Sequence, residues 1–249
     1  MNRGYLAKVS LSLLVGCVVL FGIVPAVAGP ASPFPRIGDI VGAVTGEEGS
    51  RLASAFGNTL VRFMLSTVIG CGIGVFLGTA QAGLPWTRGV LSPWLDAMRV
   101  TPAIVWIPIL LTFRHVSTGG IPLVLGILYS ALYVALHVES RVADISLDEL
   151  TFIRAQRVGL WWKIKYCYLP RVVAGTATGL KVGGSIGLIL VVVGEALVRV
   201  NGTGNLVVGF MESYAQGPLW ATIILLGALA LSAFHLFGAL EGWMLGKAD

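Results

Sequence analysis

Uncharged apolar runs alternate with short polar stretches along the chain, and six runs stand out, at roughly 9–28, 56–80, 97–114, 120–138, 172–197 and 219–241. Each comes close to the ~20 apolar residues a helix needs to cross a bilayer. Backbone groups in lipid must be satisfied within their own segment, so the runs predict helices. The expected fold class is an all-α membrane protein of about six transmembrane helices, one domain over 1–249. The stretches 29–55, 81–96 and 198–218, rich in Gly, Pro and Ser, read as links, whereas 139–171 is charged and has a pattern of its own.

Composition sharpens this picture. With 56% hydrophobic residues, 12% charged residues and a mean hydropathy of +0.86, the chain holds more apolar surface than one water-soluble core buries. The net charge of +5 reads as topology. With the N-terminus cytoplasmic, ten basic residues fall inside (Arg3, Lys8, Arg88, Arg141, Arg154, Arg157, Lys163, Lys165, Arg171, Lys247) and four outside (Arg36, Arg51, Arg114, Arg199). That asymmetry obeys the positive-inside rule and predicts both termini in the cytoplasm. No basic stripe with interleaved aromatics exists outside the runs, so no nucleic-acid partner is expected. Cys17, Cys71 and Cys167 share no CxxC or metal-ligand spacing and read as small packing residues.

Met1 to Lys8, the apolar run and Ala26-Val27-Ala28 have the outline of a secretory signal. The run is long enough to span and the rest of the chain stays in the membrane, so an uncleaved first helix is the preferred reading, with cleavage the lesser alternative. Leu14-Val15-Gly16-Cys17 fits a lipoprotein box but is followed by Val18-Val19-Leu20-Phe21, where a lipoprotein turns polar.

Within 142–170, Ser146 and Glu149 have capping-box spacing, Leu147 to Val158 lacks Pro and Gly, and Gly159 is a natural helix stop. Leu160 to Tyr168 forms a second short helix ended by Pro170. Phe152, Ile153, Trp161 and Trp162 give this excursion an apolar surface, suited to lipid headgroups or to a cytoplasmic partner.

An ordered set of motifs spans Leu52 to Trp243: Asn58-Thr59-Leu60-Val61-Arg62, Met98-Arg99-Val100-Thr101-Pro102, Ile107-Pro108-Ile109-Leu110, the excursion closing on Leu169-Pro170, Gly194-Glu195-Ala196 and Asn201-Gly202-Thr203-Gly204-Asn205-Leu206. In these the chain resembles the permease subunits of binding-protein-dependent ABC importers, in the branch handling nitrate, taurine and alkanesulfonates. The resemblance implies a type I importer permease fold. It also implies a second permease copy, most simply a homodimer, an ABC ATPase subunit and an extracytoplasmic binding protein, all in membrane lipid. The chain itself would bind no cofactor, with ATP and Mg on the ATPase.

In such permeases the excursion is the EAA loop, which docks on the ATPase. The residues implied for coupling are Arg154, Ala155, Arg157, Gly159, Trp161, Leu169 and Pro170. Two departures leave the register open. Ile153 stands where the opening acid belongs, and the span from Gly159 to Pro170 is two residues shorter than usual. An ungapped register places Arg157 at the glycine, Trp161 at the usual aromatic and Thr151 at the acid.

Charges inside membrane runs need partners or a water-filled path, at about 2.5–3.5 kcal/mol each on insertion scales. Arg62, Asp96, Arg99, Lys181, Glu195 and His235 are such cases. Snorkelling is the bland role for Arg62, Asp96 and Arg99, and an ion pair to a neighbouring helix for Lys181 and Glu195. The run broken by Pro102 and Pro108 suits a cavity lining, with freed carbonyls near Thr101. Arg62, Arg99, Thr101, Pro102, Ser185 and Glu195 are therefore the candidate lining of a translocation path. No P-loop is present, and Gly70-Cys71-Gly72-Ile73-Gly74 lies inside an apolar run and reads as helix packing. His115, His137 and His235 have no ligand spacing. A membrane-embedded enzyme would need a convergent catalytic set, and a stand-alone secondary transporter internal repeats; neither is visible.

Overall fold

The computed structural model describes residues 34–113, 117–145, 149, 151, 155 and 159–246. The expected first span, 9–28, lies outside the described residues, as do Arg154, Arg157, His115 and Lys247. In chain order the helices are α1 (Ile37–Thr45), α2 (Glu48–Gly83), α3 (Pro85–Val100), α4 (Trp106–Thr112), α5 (Ile121–Ala143), α6 (Leu160–Lys163), a π turn (Ile164–Tyr168), α7 (Leu169–Val198), α8 (Thr203–Glu212) and α9 (Gln216–Met244). Among the described residues, four stretches are long and apolar enough to cross a membrane: Glu48–Gly83, Thr118–Ala143, Leu160–Val198 and Gln216–Met244. A fifth is a broken pair, Trp86–Val100 and Ala103–Thr112, bent by 103°.

α5 is the most buried of the long helices and α9 the least. Its burial follows from glycines on both flanking helices, which let backbones approach without a side chain between them. Gly70, Gly74 and Gly78 of α2 are spaced one turn apart, and a Cβ on each would come within 2.6 Å of Ser130, Ala131 or Ala135. Gly175, Gly179 and Gly183 of α7 meet Val138, Val134 and Ser130 in the same way, at 2.6, 2.7 and 2.9 Å. The Ser130 hydroxyl donates to the Gly183 carbonyl at 3.2 Å, satisfying a polar group in the core. α9 joins through an apolar cluster of Phe63, Leu188, Leu229, Ala233 and Phe237.

Several segments read as links are helical. The stretch 81–96 is mostly α3, which starts on Pro85, where a missing N–H costs nothing, and carries Pro93 within it. The other two links contain α1 and α8. The run 97–114 is broken only at Pro102: the residue before a proline is pushed from the helical region, and Thr101 is extended, at φ −72 and ψ 127. Pro108 breaks nothing, because it sits in the first turn of α4, whose N–H groups have no helical acceptor. Pro170 likewise does not end a helix. It lies in the first turn of α7, directly after the π turn, and Leu160–Val198 runs through it as one span. The wider i→i+5 winding of that turn accommodates a ring that would clash in a regular helix.

Candidate functional site

The sequence motifs converge where the end of α7 and the start of α8 meet α2. The wholly buried Glu195 accepts from Arg62 Nη1 at 2.7 Å through Oε1. Its Oε2 accepts from the Thr59 hydroxyl at 2.8 Å and from the Gly204 N–H at 3.2 Å. Thr59 Oγ1 in turn accepts the Thr203 N–H at 2.9 Å, and Arg62 Nη1 also donates to the Asn201 carbonyl at 2.6 Å. A Cβ at Gly202 would collide with the Glu195 carboxylate, so the turn closes on that carboxylate only with glycine there. The chain reverses through Arg199 in the left-handed region, at φ 57. Each carboxylate oxygen has a hydrogen-bond donor and a guanidinium stands against one of them, which is what a side chain this deep requires. The arrangement is a lock tying the α7–α8 turn to α2.

Outside the membrane-spanning segments, Arg199 pairs with Glu212 across the α7–α8 turn. Hydrogen bonding from Arg199 pulls the Glu212 carboxyl below its ordinary value, and the reciprocal bond raises Arg199.

The other predicted path residues lie apart from this lock. Arg99 pairs with Asp96 at 3.2 Å, both about half exposed. The Thr101 carbonyl, freed by Pro102, accepts the Tyr129 hydroxyl at 3.1 Å, and the Thr101 hydroxyl bonds back to the Ala97 carbonyl. Ser185 donates to the Lys181 carbonyl at 2.7 Å and borders an apolar groove of about 500 Å³ between α7 and α9. Lys181 forms an ion pair with Glu241 at 3.0 Å, and Thr178 donates to the other oxygen of that carboxylate at 3.0 Å. Tyr129, Glu241, Thr59 and Thr203 were missed as site residues. Thr59 and Thr203 lie inside quoted motifs, but nothing in the sequence shows that they meet.

At the opposite end of α7, Leu160, Trp161 and Trp162 are exposed, and Trp162 stacks on Tyr166 at 4.8 Å. Glu149, in the excursion, pairs with Arg171 at 2.6 Å and anchors that segment to the first turn of α7. Ala155 is helical and exposed, and Leu169 is half exposed beside Pro170. Gly159 stands immediately before α6 in extended backbone, at φ −60 and ψ 155, and a Cβ there would meet nothing within 4 Å; the helix end expected just ahead of it falls on 156–158, outside the described residues. Its own chain therefore does not require glycine there. Among the described residues, no group of three or more His, Cys, Asp or Glu side chains is placed to hold a metal ion.

Comparison with known proteins places this geometry. Over 186 residues the chain is 26% identical to the taurine transport system permease protein TauC of Escherichia coli (strain K12). The alignment covers 72% of this chain, which spans 62% of that relative's length. A crystal structure of an amino acid ABC transporter with histidines superposes with a TM-score of 0.63 at 16% identity, covering 81% of this chain and 97% of that one. The inward-facing MetNI methionine ABC transporter gives 0.59 at 17% identity, covering 79% and 95%. At those identities the likeness shows the fold, that of the type I importer permeases. Residues 70–246 match the family of binding-protein-dependent transport system inner membrane components, well over half of the chain, and the protein belongs to that family.

Proposed function

We propose that the chain is the permease subunit of an ATP-driven ABC importer for a small solute of the nitrate, taurine or sulfonate kind. A binding protein delivers the solute, two copies of the chain form the path, and an ATPase subunit docks on the 142–170 excursion. The observation that carries this reading is the continuity of Leu160–Val198. Its inner end exposes Leu160, Trp161 and Trp162, and its outer end is fixed to α2 through Glu195. A stiff helix gripped at the exposed end carries a displacement across the bilayer. The taurine permease named above supports the solute class, and the charge asymmetry supports cytoplasmic termini. Arg99 and Pro102, at the break between α3 and α4, are the exposed path residues, with Thr101 partly exposed between them.

The test is reconstitution in proteoliposomes with a cognate ATPase and binding protein. ATP-dependent uptake of taurine or an alkanesulfonate is expected, with none from the chain alone. Gly159→Asp is expected to keep normal membrane abundance and lose ATPase coupling, since only a partner's close approach restricts that position. ATP hydrolysis by the purified chain above contaminant level, or uptake without the ATPase, overturns the reading. A reporter after Asp249 that is active only outside overturns the topology.

A further inference from the structure

We infer that the mouth of the chain on the side of the Glu195 lock carries a capture site for a small dipolar solute, with an ammonium at one end and a sulfonate or similar oxoanion at the other. Two cavities of about 390 Å³ each share Arg51, Asn205 and Leu206 as a common wall. One is bordered by Glu48, the other by Ser50, Ser54 and Asn201. Arg51 Nη1 donates to both Glu48 oxygens, at 3.0 and 2.9 Å, leaving its Nε and Nη2 donors without a partner among the described residues. Glu48 thus borders only one cavity, while Arg51 and Asn205 border both, and two serines and Asn201 complete the second, which has no carboxylate.

That pattern discriminates between solute classes. The Glu48–Arg51 pair has no net charge, so a simple anion gains from Arg51 about what it loses to Glu48. A molecule with its own opposed charges, laid antiparallel to the pair, gains at both ends. Ser54 and the side chains of Asn201 and Asn205 have no hydrogen-bond partner among the described residues, so an oxoanion that they bind displaces water and breaks no bond within the chain. The rim is preorganised, because the Asn201 carbonyl is held by Arg62 of the lock. With side chains 64% and 34% exposed, the pair stays in water, which suits transient capture. The outer location and the solute class rest on the permease reading above; the cavities and their donors do not.

The experiment measures equilibrium binding of radiolabelled taurine and ethanesulfonate to the detergent-solubilised transporter complex, without binding protein. Taurine is expected to bind about tenfold more tightly than ethanesulfonate, since one charged hydrogen bond is worth about that factor. Glu48→Gln is expected to erase the difference by weakening taurine alone. Arg51→Gln and Asn205→Asp are expected to weaken both ligands. Equal binding of the two ligands, or wild-type taurine affinity in Glu48→Gln, would overturn the site. ATP-driven uptake alongside taurine binding unaffected by Glu48→Gln removes the site and leaves the permease reading. Glu48-dependent taurine binding in a chain that never transports removes the permease reading and leaves the site.

Discussion

At one end, the span Leu160–Val198 buries Glu195 completely and bonds it to α2 and to the start of α8; at the other, it leaves Leu160, Trp161 and Trp162 at 75%, 71% and 56% exposure. The first end has its polar requirements met within the chain. The second presents an apolar surface that its own fold leaves uncovered. Between them lie 39 residues of helix, roughly 58 Å at 1.5 Å per residue. A closed end and an open end on one stiff element suit a lever anchored on one side of the membrane and loaded on the other.

The comparison breaks if the two ends respond alike to mutation. The largest effect is expected at the closed end. Glu195→Leu leaves Arg62 without its counter-charge and is expected to cost about 3–5 kcal/mol, read from denaturant unfolding of the detergent-solubilised protein. The double variant Arg62→Leu/Glu195→Leu is expected to recover much of that loss, because removing both charges leaves neither unpaired. Next comes the glycine seam between the ends. Gly179→Val puts side-chain atoms where a Cβ alone lies 2.7 Å from the Val134 Cα, at an expected cost of about 1–3 kcal/mol. Gly227→Ala on α9, with nothing within 4 Å, is the control and is expected to stay within about 0.5 kcal/mol. At the open end, Trp161→Ala is expected to change stability by no more than about 0.5 kcal/mol while abolishing ATPase-coupled uptake.

The smallest effect is a pH dependence. The Glu212 carboxyl is held low by Arg199, so the pair's contribution is present above the unfolded glutamate value of about 4.3 and is lost as pH falls through the lower folded value. Both groups are fully solvated, and 0.5 M salt is expected to erase the difference between wild type and Glu212→Gln in a pH titration of unfolding.

The long apolar runs revealed the spans around α2, α5, α7 and α9 because hydropathy over about 20 residues is a property of local sequence. α3 was hidden because Pro85, Gly89 and Pro93 give it the composition of a link, although prolines at a helix start are compatible with helix. α1 and α8 were hidden by polar neighbours; they are held by packing, α1 against α9 and α8 against α7 and α9. The lock was half visible. Thr59, Arg62, Glu195, Gly202 and Thr203 all fall in quoted motifs, but Arg62 and Glu195 are 133 positions apart and only the fold joins them. Lys181 was recognised as needing a counter-ion, yet Glu241 stood at the edge of the last run and drew no notice. The extended backbone of Gly159 is likewise something its residue type does not disclose.

The π turn at Ile164–Tyr168 takes up a residue as well as admitting Pro170. Its wider winding turns less per residue than the roughly 100° of an α-helix, so its five residues sweep about the angle of four α-helical ones. The azimuth at which Leu160, Trp161 and Trp162 face outward is therefore that of a regular helix one residue shorter. Deleting Lys165 would return the segment to regular winding and keep the aromatic pair in phase, whereas one more residue inserted beside the turn would swing the pair about a quarter-turn from whatever meets it.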